Sequence, residues 1–174
     1  MAAVTSGSFD TPLVYYTNSA NKKGLRFSWS LVSQDPQRNT STIKYSVTGI
    51  GQNAYNGVWV WMYDCTVIIR SQTVYSTSSF GELRLNQVVA SGTITLNNNS
   101  DGTLSFSASV SCHIGYPNQN SNGSKSWTLP QIPRHLKINI KDAWKNGIVW
   151  VKTPSAWKKG TLWLKVNDAW QKMQ

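Results

Sequence analysis

The C-terminal part of this chain repeats itself. Ala143-Trp144-Lys145 returns as Ala156-Trp157-Lys158 and again as Ala169-Trp170-Gln171, a period of thirteen residues. The same spacing relates Gly147 to Gly160, Trp150 to Trp163, Val151 to Leu164 and Lys152 to Lys165. A unit this short cannot hold a pair of helices. It suits one strand, a turn and a second strand, with neighbouring copies stacking to bury what one copy leaves open. Five of the nine tryptophans fall in this segment. The repeat predicts a small β-hairpin module over 135–174, appended to whatever the first 130 residues form.

Those residues read as strands. Leu25, Phe27, Trp29 and Leu31 alternate with Arg26, Ser28 and Ser30, the period of two that marks a half-buried strand. Ile43, Tyr45 and Val47 repeat the pattern, as do Val88, Ala90, Ile94 and Leu96. In the next set Leu104, Phe106, Ala108, Val110 and Cys112 point inward and Ser105, Ser107, Ser109 and Ser111 outward. The run from Val58 to Arg70 is apolar at both parities around Trp59, Trp61, Tyr63 and Cys65, as a central strand or a pair of strands would be. Asn97–Gly102 joins two of these segments, and Asp101-Gly102 supplies the positive φ of a hairpin turn. With an opening strand near Phe9 or Leu13 and a closing one at Trp127 and Leu129, about seven short strands are expected. The fold class predicted is all-β: an immunoglobulin-like β-sandwich over 1–130, then a small β-hairpin repeat module. The cysteine–tryptophan placement and tyrosine corner of true immunoglobulin domains are absent, since Val110 stands two residues before Cys112. Pro130 and Pro133 bracket a linker, placed at 131–134.

Charge is unevenly divided. Residues 1–130 carry eight Lys or Arg against five acids, whereas 131–174 carry nine against two. A basic surface of this kind meets nucleic acid, teichoic acid or an acidic protein, or simply keeps a tryptophan-rich sheet soluble and its edges unpaired. No stretch reaches the length of a membrane span. The first residues, Met1 to Gly7, lack the regions of a signal peptide, so synthesis in a cytoplasm is expected.

Residue types needed for catalysis are sparse. His113 and His135 are the only histidines, and no Ser-His-acid or Cys-His arrangement assembles from neighbouring motifs. Asp10, Asp35, Asp64, Glu82, Asp101, Asp142 and Asp168 stand singly, whereas glycoside hydrolysis needs two carboxylates across a cleft. Asn97-x-Asn99-x-Asp101-Gly102 resembles half a calcium loop, but the twelfth position is Ala108, which carries no carboxylate. Cys65 and Cys112 lie within alternating apolar runs and read as buried free thiols. The expectation is a protein that is not an enzyme, with no catalytic residues, no cofactor and no metal.

In the repeat, Trp150 and Trp163 alternate with Val149, Val151, Leu162 and Leu164 and are assigned to the module's core, because burying large aromatics is its main source of stability. Trp144, Trp157 and Trp170 stand beside turn residues and lysines. Together with Lys145 and Lys158 they are the candidate surface or ligand contacts.

Several segments resemble a known family. Ala90-Ser91-Gly92-Thr93-Ile94-Thr95, Asn99-Ser100-Asp101-Gly102-Thr103 and Gly123-Ser124-Lys125-Ser126-Trp127-Thr128-Leu129-Pro130-Gln131-Ile132-Pro133-Arg134 resemble siphophage minor structural and tail proteins of Gram-positive hosts. The sandwich of those proteins closes with a Gly-Ser-x-Ser-aromatic-Thr-Leu-x-x-Ile-Pro-Arg segment. Val166-Asn167-Asp168-Ala169-Trp170 is similar to the terminal Val-Asn-x-Ala-Trp-Lys modules of phage virion proteins. The resemblance implies a virion structural protein of tail, baseplate or capsid surface, made in the host cytoplasm and acting by protein contact and display. Its implied partners are other virion proteins, copies of itself on the particle and host cell-wall polysaccharide. Membrane insertion and nucleic acid are not expected. The alternative is a wall-carbohydrate adhesin.

Overall fold

A computed structural model describes residues 2–16, 18–52, 60–115, 119–132, 136–140, 143–147, 150–153, 155–160, 162–166 and 169–173; in the hairpin module, side chains are described only at Thr153, Ser155, Ala156, Lys158 and Lys159. The chain is all-β, and its larger part is a sandwich of two antiparallel sheets. The first sheet holds β1 (Ser6–Asp10), β3 (Asn18–Asp35), β4 (Thr40–Gln52) and β8 (Val88–Asn97) side by side, with β2 (Val14–Tyr16) on β3. The second runs β10 (Gln119–Thr128), β9 (Ser105–Ile114), β5 (Val60–Ile69) and β6 (Gln72–Thr77), with β7 (Gly81–Leu83) also on β5.

Alternation places the core as expected. Leu25, Phe27 and Trp29 on β3, Ile43, Tyr45 and Val47 on β4, and Phe106, Ala108, Val110 and Cys112 on β9 are all buried. Aromatic rings join the sheets: Trp29 meets Phe106 edge-on at 5.0 Å and Trp127 at 5.6 Å, and Phe27 stacks with Phe9, Tyr45 and Trp127. A buried hydrogen bond links Thr11 Oγ1 to Ser121 Oγ at 2.7 Å, and the Leu25 N–H donates to Thr11 Oγ1. Both cysteines are free and buried, facing each other in register across β5 and β9.

Four expectations need correction. Asp101-Gly102 does not close a hairpin: β8 pairs with β4 and β9 with β5 and β10, so the loop crosses between sheets. Gly102 does adopt φ +83°, and a Cβ there would lie 2.7 Å from the Ile132 carbonyl oxygen. Val88 points out, 56% exposed, because a register shift opposite Val47 and Thr48 hands its inward place to Val89. Among the described residues the sandwich has ten strands in place of about seven, since the short β2, β6 and β7 carry no alternation long enough to be read. The sandwich also reaches past residue 130 into the expected linker: Leu129 and Ile132 are buried, the Ile132 N–H donates to the Gly102 carbonyl, and Gln34 Nε2 to that of Pro130. Pro133 and Arg134 lie outside the described residues.

The repeat forms three two-stranded hairpins: β11 (Leu136–Ile140) with β12 (Ala143–Gly147), β13 (Trp150–Lys152) with β14 (Trp157–Lys159), and β15 (Leu162–Val166) with β16 (Ala169–Met173). Their registers repeat at thirteen, with Asn139 opposite Trp144, Lys152 opposite Trp157 and Lys165 opposite Trp170. The middle hairpin turns at Thr153, whose N–H and hydroxyl both donate to the Ala156 carbonyl.

Candidate functional site

The site is built on β5, by a bulge. Met62 pairs with Ile114 and Asp64 with His113, which leaves Tyr63 as an extra residue on this strand. Met62 faces inward before the bulge, and Cys65, Val67 and Ile69 face inward after it. The inward parity has therefore switched, and Tyr63 and Asp64 both fall on the outer side, with Trp61 one step before them. Bulges re-aim side chains in this way and recur beside binding sites. Trp61 is 49% exposed and Tyr63 40%. Here the apolar run of β5 departs from its sequence reading: the second apolar face is open to solvent rather than covered. Val58 and Trp59 lie outside the described residues.

His113 arrives from β9. Its Nδ1 lies 2.8 Å from both Asp64 carboxylate oxygens, and its backbone N–H donates to Asp64 Oδ1 at 3.2 Å. An ionised carboxylate only accepts, so Nδ1 carries the hydrogen of this contact, and Nε2 is the nitrogen that Asp64 does not engage. The pair is half-exposed, with 38% of the histidine side chain and 42% of the aspartate reaching solvent. Asn120 stands opposite His113 on β10. On the other flank Glu82, held by Arg84 at 2.9 Å, stands opposite Trp61. Next to it Gly81 adopts φ +97°, a conformation side chains rarely take, and lies against the Trp61 ring.

Apart from the partly exposed Ile68, the rest of this face is mostly small and polar. Ser105, Ser107 and Ser111 on β9 and Asn122, Ser124 and Ser126 on β10 are exposed. Ser111 Oγ donates to Asn122 Oδ1 at 3.0 Å, and Thr66 and Ser76 share a hydroxyl contact. A shallow depression of about 360 Å³ opens between Ser109, Ser111, Asn122 and Ser124.

The sandwich's five carboxylates all have structural work. Asp10 is bidentate to Arg26, whose hydrogen bonds hold that carboxyl below its ordinary value. Asp35 accepts from the backbone of Gln37 and Arg38, Asp101 from that of Thr103. Asp64 and Glu82 are paired as described above. Among the described residues no group of three His, Cys, Asp or Glu converges on a metal position.

The candidates named from the repeat occupy equivalent places on three hairpins. Trp144 and Lys145 are on β12, Trp157 and Lys158 on β14, Trp170 on β16. Lys158 is exposed; the side chains of Trp144, Lys145, Trp157 and Trp170 lie outside those described. In register, Trp150 pairs with Lys159 and Lys152 with Trp157, and Trp163 pairs with Lys172 and Lys165 with Trp170.

Sequence reasoning missed the Trp61, Tyr63, Asp64 and His113 cluster because 49 residues separate the aspartate from its histidine. One signal was present: an acid set inside an otherwise apolar run. Comparison with protein families, curated proteins and solved structures finds no match.

Proposed function

We propose that this chain is a structural component of a bacteriophage particle, at tail, baseplate or capsid surface, that acts by protein contact and surface display and performs no catalysis. The observation that carries the reading is the hairpin series. A two-stranded sheet is marginal in water and cannot cover both of its own faces. Three such hairpins in matching register offer the same strand faces and edges repeatedly, which is what lateral contact with copies or neighbours in an assembly uses. The segment behind the family resemblance is structural as well: Trp127, Leu129 and Ile132 are buried, closing the sandwich. The carboxylates of the sandwich are taken up by local pairs, which favours a binding role over hydrolysis.

The test is mass spectrometry of gradient-purified particles of a phage encoding this chain, followed by cryo-EM. The chain is expected at a fixed stoichiometry to the major capsid or tail protein. Its absence from particles that retain infectivity would end the proposal. A second reading, a host-wall carbohydrate adhesin, is favoured by one specific observation, the open aromatic pair Trp61 and Tyr63.

A further inference from the structure

We infer that the outer face at the β5 bulge is a binding site for a neutral hexopyranose saccharide, with Trp61 and Tyr63 as its platform and the Asp64–His113 pair as its polar edge. The inference gives the adhesin reading a location and a ligand class, and it holds equally for a displayed virion protein.

The surface at the bulge is unusual. Single exposed apolar residues are ordinary. Here two aromatic residues stand two positions apart on one strand, and the bulge sets the acid beside them on the same side. A regular strand continued from Met62 would have turned Asp64 into the core. Among the described residues, the other large exposed apolar residues, Tyr15, Val32 and Val88, lie on the first sheet.

The chemistry selects the ligand. An aromatic face is the negative end of a ring quadrupole, and it attracts the C–H bonds on the flat side of a pyranose. Asp64 is held by two groups of His113, so its remaining lone pairs are fixed in direction and accept from hydroxyls without losing rotamer freedom on binding. Asn120, opposite His113, adds an exposed amide at the same edge. Asp64 at the polar edge disfavours phosphates and uronates, whereas the charge of Glu82 is offset by Arg84. A protein partner would need a desolvated apolar centre, and the surrounding serines and asparagines do not supply one. A quaternary ammonium group would need aromatic walls on several sides, whereas a sheet face gives one open platform.

The experiment titrates the full-length chain, labelled with nitrogen-15, with maltotriose, cellotriose and tri-N-acetylchitotriose separately, following the tryptophan indole signals. At least one sugar is expected to move the Trp61 indole with a Kd of about 1 mM. Trp61→Ala should weaken that binding at least tenfold with the melting temperature unchanged, because its side chain reaches solvent, and Asp64→Asn several-fold. Added salt should leave the affinity as it was. The inference is overturned if none of the three sugars shifts the Trp61 indole, if Trp61→Ala binds as wild type, if choline chloride takes the site in their place, or if only indoles of the hairpin module respond. Particle composition is measured separately, so failure here and failure of the virion reading are distinguishable.

Discussion

Trp29 provides the most exacting test of how the sandwich is held together. Its indole is 4% exposed and touches Phe106 and Trp127 edge-on, and its Nε1–H is buried without an acceptor. Replacement by alanine removes the ring and leaves a cavity, which costs about 3 to 5 kcal/mol. The two edge-to-face pairs, each contributing about 0.5 to 1.5 kcal/mol beyond burial, place the loss toward the top of that range. Phenylalanine behaves differently. It gives up the pyrrole part of the indole, about two methylene equivalents at ~0.8 kcal/mol each, and it also removes an unpaired buried donor whose cost is about 1 to 3 kcal/mol. The two terms offset, so Trp29→Phe is expected within about 1 kcal/mol of the native protein. Urea unfolding of the full-length chain, followed by far-ultraviolet circular dichroism, measures both variants. If Trp29→Phe is as damaging as Trp29→Ala, the orphan-donor reasoning is wrong. If neither moves the midpoint, so is the core assignment.

Gly7 lies under the same ring pair, where a Cβ would come 2.3 Å from Trp127 Nε1 and 2.8 Å from Trp29 Nε1; Gly7→Ala should cost about 1 to 3 kcal/mol by overpacking, visible as a lowered urea midpoint. Burial pushes the Cys65 and Cys112 thiols up from 9.0 to about 12. The native state therefore holds these protons more tightly than the unfolded chain, so their stabilisation is full below pH 9.0 and is lost as pH rises through the window to about 12. Thermal melts across that window should fall less steeply for a Cys65→Ala/Cys112→Ala double variant, and a thiol reagent at neutral pH should modify the wild type only after unfolding. Limited proteolysis should release a sandwich ending after Ile132 rather than at Pro130, since Ile132 is buried and bonded to Gly102; mass spectrometry of a first fragment cut inside the strands would contradict this boundary. Binding of the basic segment to anionic wall polymers should fade between about 0.05 and 0.5 M salt as screening shortens, and a salt-resistant signal lost in Trp157→Ala would instead assign a specific site to the hairpins.

Whatever depends on one strand alone could be read from its residues. Alternate side chains of an extended backbone point to opposite sides, so Phe27 and Trp29, Ile43 and Val47, and Phe106, Ala108, Val110 and Cys112 were legible as inward-facing from covalent geometry alone. The thirteen-residue period likewise gave three equivalent hairpins, because each register closes within its own unit. Which strands become neighbours is fixed by the folding of the sheets. The loop after Asn97 reads like a hairpin but crosses between sheets, since turn residues set the local direction of the chain and not the edge it next pairs with. The Val88 register shift and the β5 bulge were hidden for a related reason: both concern alignment with a partner strand, and one added residue reverses which side faces the core. That reversal is what sets Trp61, Tyr63 and Asp64 on one open face beside His113. Such a juxtaposition across 49 residues exists only once β5 and β9 have paired.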